Sequence, residues 1–98
     1  MRADILVTYD VSTEDAAGRR RLRHVAKACT SYGQRVQLSV FECTVNEMQM
    51  LALRKRLLSI IDSGKDSLRI YHLHGDRGTY LEAFGRDRYV DFDEPLVF

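Results

Sequence analysis

The sequence predicts an α+β sandwich in which two helices cover one face of an antiparallel sheet. Three observations carry that expectation. Short β-rich segments and longer segments of helical periodicity follow one another in the order strand, helix, strand pair, helix, strand. The first β-rich segment is apolar on both sides, as a central strand requires. Finally, 98 residues suffice for a single core, since a chain this short buries little more than about 60% of its unfolded surface.

Residues 3–9, ADILVTY, place Ile5, Val7 and Tyr9 on one side and Leu6 and Thr8 on the other. Ser12 and Thr13 are suitable N-caps for a helix running to about Ser31, with Glu14 and Asp15 at its positive end. Within it Leu22, Val25, Ala26 and Cys29 form an apolar stripe at i, i+3, i+4 and i+7. Gly33 then suits the left-handed C′ position that ends many helices. Residues 34–45, QRVQLSVFECTV, read as two short strands bent around Gln37 to Ser39, or as one kinked strand. Asn46 behind Val45 can cap a second helix, with Glu47 in its first turn and Met50, Leu53, Leu57, Ile60 and Ile61 as its buried stripe. Residues 67–74, SLRIYHLH, supply the last clear core strand. The order is that of a ferredoxin-like βαββαβ sandwich, one domain over 1–98 with its core in about 1–75.

Two helices on one face leave the other bare, and side chains such as Tyr9 or Phe41 on that bare face would favour a homodimer. The tail 76–98 closes on YVDFDEPLVF, which suits an extra C-terminal strand paired on a partner subunit. Net charge is only +1, so a basic face has to be sought in the distribution of charge. Cys29 and Cys43 lie outside metal-ligand spacing and read as two buried thiols in a reducing compartment. No signal peptide or membrane span is evident, and a cytoplasmic location is expected.

The stretch LVTYDVSTEDAAGRRRLRHV, residues 6–25, carries the chemistry. Asp10 stands at the C-terminal edge of the central strand. It is either a turn acid or a ligand for Mg²⁺ or Mn²⁺, hard cations that take carboxylate oxygens. One carboxylate makes a poor site. Two copies packed about a two-fold axis would converge both Asp10 side chains on one ion, which could activate water for phosphodiester cleavage. From Ala16 to Gln37 there are six cationic residues, Arg19, Arg20, Arg21, Arg23, Lys27 and Arg35, and no acid. Such a run is either a solvated helix face or a surface for phosphates. Tyr9 and Phe41 beside it could stack or simply pack in the core. His72 and His74 make an HxH without a third ligand in register, and GKDS at 64–67 lacks the glycines of a phosphate loop.

VTYDVS on the first strand, RRRLRHVAKAC on the first helix, YGQRVQLSVFEC across the middle and DSLRIYHL on the last core strand resemble, in order and in register from Ile5 to Leu73, the second CRISPR-associated core protein family. This is the small endonuclease-like subunit of the spacer-acquisition machinery, and the likeness is closest to the form found with type I-C systems. The resemblance implies a homodimer of ferredoxin-like subunits and metal-dependent cleavage of single-stranded RNA or double-stranded DNA. Under it, Asp10 matches the strand-end metal aspartate and Tyr9 the tyrosine before it. Arg21 and Arg23 match the helix arginines, with Arg19 and Arg20 as substitutes for a one-residue offset. Arg35, Ser39 and Phe41 match the arginine, serine and phenylalanine of the middle segment. The resemblance also implies that the dimer bridges two dimers of the CRISPR integrase on the invading DNA. The competing expectation is a non-catalytic DNA-binding scaffold of the same complex.

Overall fold

A computed structural model describes residues 2–73 and 79–86. Its elements are β1 (Ala3–Asp10), α1 (Ala16–Thr30), β2 (Gly33–Gln37), β3 (Val40–Val45), α2 (Glu47–Ile60), β4 (Ser67–Leu73) and β5 (Thr79–Gly85). The strands form one sheet in the order β2-β3-β1-β4-β5, with every neighbouring pair antiparallel. This is the ferredoxin-like arrangement with one strand added at the β4 edge. β1 lies at its centre because it is apolar on both sides, as its sequence requires.

Register decides which side chains share the core. Val7 faces Phe41 on β3 and Ile70 on β4, while Ile5 faces Cys43 and His72. These residues lie under the helices with Val25, Ala28, Cys29, Leu53 and Leu57, and all but His72 belong to one hydrophobic cluster. Leu53 and Leu57 are fully buried, so truncating either to Ala should cost about 2–5 kcal/mol through lost transfer and a residual cavity. Tyr9 and Phe41 belong to this same layer, at 5% and 1% exposure. The expectation that they lie on the bare face is therefore corrected. Their rings stack at 6.2 Å in the core, and the alternation of β1 and β3 gives the opposite face to Leu6, Thr8, Glu42 and Thr44.

Three local readings also change. The N-cap of α1 is Asp15, whose Oδ1 accepts from the Gly18 amide at 2.7 Å, and not Ser12 or Thr13. The Ser12 amide is engaged elsewhere, as described below. Gly33 is not a left-handed cap but the first residue of β2. It is glycine because a Cβ there would lie 2.1 Å from the Glu42 carbonyl oxygen and 2.7 Å from Cys43 Sγ. α1 instead ends on Ser31, whose amide donates to the Ala28 carbonyl, while the Tyr32 amide donates to that of Cys29. The added strand is β5, a neighbour of β4 in the same chain. The YVDFDEPLVF tail, on which strand exchange was expected, lies outside the described residues, as does His74. The capping of α2 matches expectation: Asn46 Oδ1 accepts from the Gln49 amide and Gln49 Oε1 from the Asn46 amide, a complete capping box. Among the described residues no helix is long and apolar enough to cross a membrane.

Candidate functional site

One end of the sheet, where β1 leaves it and β4 enters, gathers acidic and cationic side chains. Two aspartates sit there. Asp10, the last residue of β1, pairs in register with Ser67, whose predecessor is Asp66. The two carboxylates have opposite surroundings.

Asp66 is fully buried and saturated. Its Oδ1 accepts from the Ser12 amide at 3.0 Å and from Arg21 Nη2 at 3.3 Å. Its Oδ2 accepts from Arg21 Nε and the Asp62 amide, each at 2.8 Å. The Asp66 carbonyl accepts from the Arg86 amide at 2.6 Å. Burial alone would raise this carboxyl, but the Arg21 fork and the two amides outweigh it and hold it below the usual carboxylate range. The Asp66 side chain thus ties together the β1–α1 loop, α1 and the α2–β4 loop, and its backbone carbonyl adds the end of β5. Sequence reading missed this constellation, although an aspartate directly ahead of a core strand and an arginine out of step with the exposed cations were available as signals.

Arg21 is therefore committed to the fold. Its guanidinium is held by Asp66, a hydrogen bond that raises its own pKa further. The other cations of the run remain outward. Arg19, Arg20, Arg23 and Lys27 are exposed on α1, and Arg19 Nη1 donates to the Thr13 carbonyl at 3.4 Å. Arg21 and Arg23 are two residues apart on a helix, about 200° around its axis, which is why one turns inward and the other outward.

Asp10, by contrast, is exposed, and among the described residues it has no hydrogen-bond or ion-pair partner. It lines a cleft of about 420 Å³ between the end of β1, α1 and the β2–β3 turn. Tyr9, Arg23, Arg35 and Ser39 contribute the other polar walls, and Val11, Leu22, Ala26 and Leu38 the apolar ones. Five of the sequence-selected residues, Tyr9, Asp10, Arg23, Arg35 and Ser39, are thus brought to one cavity. Phe41 lies beneath it, with the Arg35 guanidinium 5.2 Å above its ring centre. Arg19, Arg20 and Lys27 stay on the helix outside the cleft lining.

Tyr9 joins the cleft to the core. Its amide donates to the Ser39 carbonyl at 3.1 Å and its hydroxyl to the Leu38 carbonyl at 3.4 Å, so it fixes the β2–β3 turn against β1. Burial raises its phenol above the ordinary value against the opposing pull of Arg35. It is poorly suited to ionise and well suited to position.

Among the described residues no three His, Cys, Asp or Glu side chains converge on a possible ion. The oxygens near the cleft, from Asp10, Ser39 and Tyr9, are of the hard type that Mg²⁺ accepts. A single carboxylate makes a poor Mg²⁺ site by itself. By register Asp10 alternates with Tyr9 and shares the parity of Leu6 and Thr8, so at the end of β1 it stands at the edge of the cleft. The two cysteines take no part. Burial pushes Cys29 up to about 12 and Cys43 up to about 11, as two inert core thiols.

Fold and site define a small ferredoxin-like subunit with an acid and guanidinium groups at one end of its sheet. Comparison with known proteins then places it. The CRISPR associated protein Cas2 family pattern matches residues 3–78, and the chain belongs to that family. It is 56% identical over 95% of its length to the CRISPR-associated endoribonuclease Cas2 1 of Moorella thermoacetica, covering 97% of that protein. It is 51% identical over 96% of its length to the CRISPR-associated endonuclease Cas2 of Halalkalibacterium halodurans, covering 98% of that protein. A crystal structure of Streptococcus pyogenes Cas2 at pH 6.5 matches with a TM-score of 0.68 and 57% identity, covering 74% of this chain and 87% of that one.

Proposed function

We propose that this chain is a metal-dependent nuclease-like subunit of CRISPR adaptation, cleaving phosphodiester bonds of RNA or DNA as a homodimer in which both Asp10 carboxylates hold one Mg²⁺ or Mn²⁺. The observation that carries the reading is Asp10 itself: exposed, without a partner among the described residues, in a cleft with Arg23 and Arg35. The names of the relatives, endoribonuclease and endonuclease, agree with it. Bound there, the cation would polarise a phosphoryl oxygen and lower the pKa of a water. Arg23 and Arg35 present donor forks to the phosphates on either side. Tyr9 holds Ser39 and the turn against β1, so the wall opposite α1 keeps its place. The exposed Arg19, Arg20 and Lys27 extend the phosphate track along α1 beyond the cleft.

Nothing in these contacts selects a base, which is consistent with relatives named for both kinds of nuclease. The test is Asp10→Asn, which should leave folding and pairing intact and remove cleavage in Mg²⁺. Undiminished cleavage by the purified variant would overturn the reading.

A second reading has its own support. One carboxylate per chain, beside a helix with four exposed cations, also suits a scaffold that grips DNA and bridges the CRISPR integrase without cutting. Under that reading DNA capture by the assembled complex survives Asp10→Asn and fails when Arg19, Arg20 and Arg23 are replaced together, with a shallower salt dependence.

A further inference from the structure

The two helices turn different faces to solvent. α1 presents cations, Arg19, Arg20, Arg23 and Lys27. α2 presents apolar side chains: Met48 is 80% exposed, Leu51 63% and Leu58 40%, with exposed Ala52 beside them. These are three of the six exposed large apolar side chains among the described residues, so the helix carries a patch and not a stray leucine. At 100° per residue, Met48, Leu51 and Leu58 fall within about 80° of one another around the axis. The opposite face of α2 is apolar too, with Leu53 and Leu57 fully buried. A helix apolar on both faces is built to be covered on both.

Charge decides what covers the outer one. Glu47, Leu51 and Lys55 stand at i, i+4 and i+8, along one ridge of the helix surface. The acid lies about 6 Å before Leu51 along the axis and the base about 6 Å after it. Both are exposed, and neither has a hydrogen-bond or ion-pair partner among the described residues. An identical ridge laid antiparallel about a two-fold axis through Leu51 sets each acid against the other copy's base and Leu51 against its own copy. A parallel ridge would set like charges together.

We propose that the outer face of α2 binds α2 of a second copy in antiparallel fashion, with Leu51 at the centre, Met48 and Leu58 beside it and two Glu47–Lys55 pairs at the rim. No α2 residue lines the Asp10 cleft, so this contact is separate from any pairing that joins the Asp10 side chains. One helix against another buries less than an interface of standard size. Association should therefore rise with concentration.

The test is the mass of the full chain by analytical ultracentrifugation over a range of concentrations, beside Leu51→Ser, Glu47→Lys and Lys55→Glu. All three positions are exposed, so the core is untouched. At the highest concentration the wild type should have about twice the mass of Leu51→Ser. Glu47→Lys and Lys55→Glu, each alone, should match Leu51→Ser, because like charges then meet at both ends of the ridge. An equimolar mixture of these two should regain the wild-type mass, since one chain then presents two bases and the other two acids. The double variant Glu47→Lys with Lys55→Glu should regain it as well. A wild type no heavier than Leu51→Ser at any concentration would overturn the contact and leave the stripe to the chain's own tail or to another protein. So would a mixture or a double variant that fails to recover. Cleavage and ion binding at Asp10 are read separately, and neither alters these masses.

Discussion

Asp10 and Asp66 stand at the same end of the sheet, one at the exit of β1 and the other at the entrance of β4, and they do opposite work. Asp66 is sealed from water and satisfied by one guanidinium and two amides. Asp10 is open to water, with no partner among the described residues. The arginines repeat the contrast: Arg21 is spent on Asp66, while Arg23 two positions later lines the cleft. A saturated carboxylate stabilises a fold and can bind nothing more. An unsatisfied one adds nothing to the fold and is available to a cation. Burial and partner count, more than residue type, separate scaffold from site.

The contrast can be broken at either acid. Asp10→Asn should reduce cleavage by at least about a hundredfold, the scale for removing a group that stabilises developing charge, with an unchanged melting temperature. Asp66→Asn should do the reverse, costing about 3 kcal/mol or more by leaving the Arg21 charge without its buried partner. Measured by thermal melting, each kcal/mol is worth about 4–8 °C in a domain of this size.

Acid sharpens the second case. The folded Asp66 carboxyl lies below its unfolded value, so its stabilisation is complete above the ordinary carboxylate pKa of about 3.9 and drains away as pH falls through the lower folded value. The stability gap between wild type and Asp66→Asn should therefore be full at neutral pH and close below about pH 4. A gap that persisted in acid would mean that the charge of Asp66 is not what matters.

Gly85→Ala probes the same knot from β5. Gly85 has φ +83, and a Cβ there would lie 2.3 Å from the Asp66 carbonyl oxygen. A loss of about 1–3 kcal/mol is expected, with nucleic-acid binding retained. Smallest, Asn46→Ala should cost about 1 kcal/mol by opening the capping box of α2, far from either acid.

The fold was largely legible because its signals are periodic. Ile5 and Val7 alternate with Leu6 and Thr8, Leu53 and Leu57 recur at helical spacing, and Asn46 with Gln49 caps α2. The site was legible where chemistry-bearing residues cluster in sequence, as Asp10 does with the α1 arginines. Arg21 could not be told from its neighbours by composition, because its role depends on Asp66, a contact that only the tertiary fold creates. For Tyr9 and Phe41 the sequence leaves both the bare face and the core open, and the structure gives the core. Their aromatic character suited either side of the sheet, and only the pairing of Val7 with Phe41 decides. Gly33 looked like a helix cap because glycine serves both left-handed turns and close backbone approach, and here it serves the second.

The central claim is that two copies of the chain share one cation through their Asp10 side chains. Calorimetric titration of the purified protein with Mn²⁺ tests it most directly. We expect one ion bound per two chains, and no binding in Asp10→Asn at the same protein concentration. One ion per chain, or binding that survives in the variant, would contradict it.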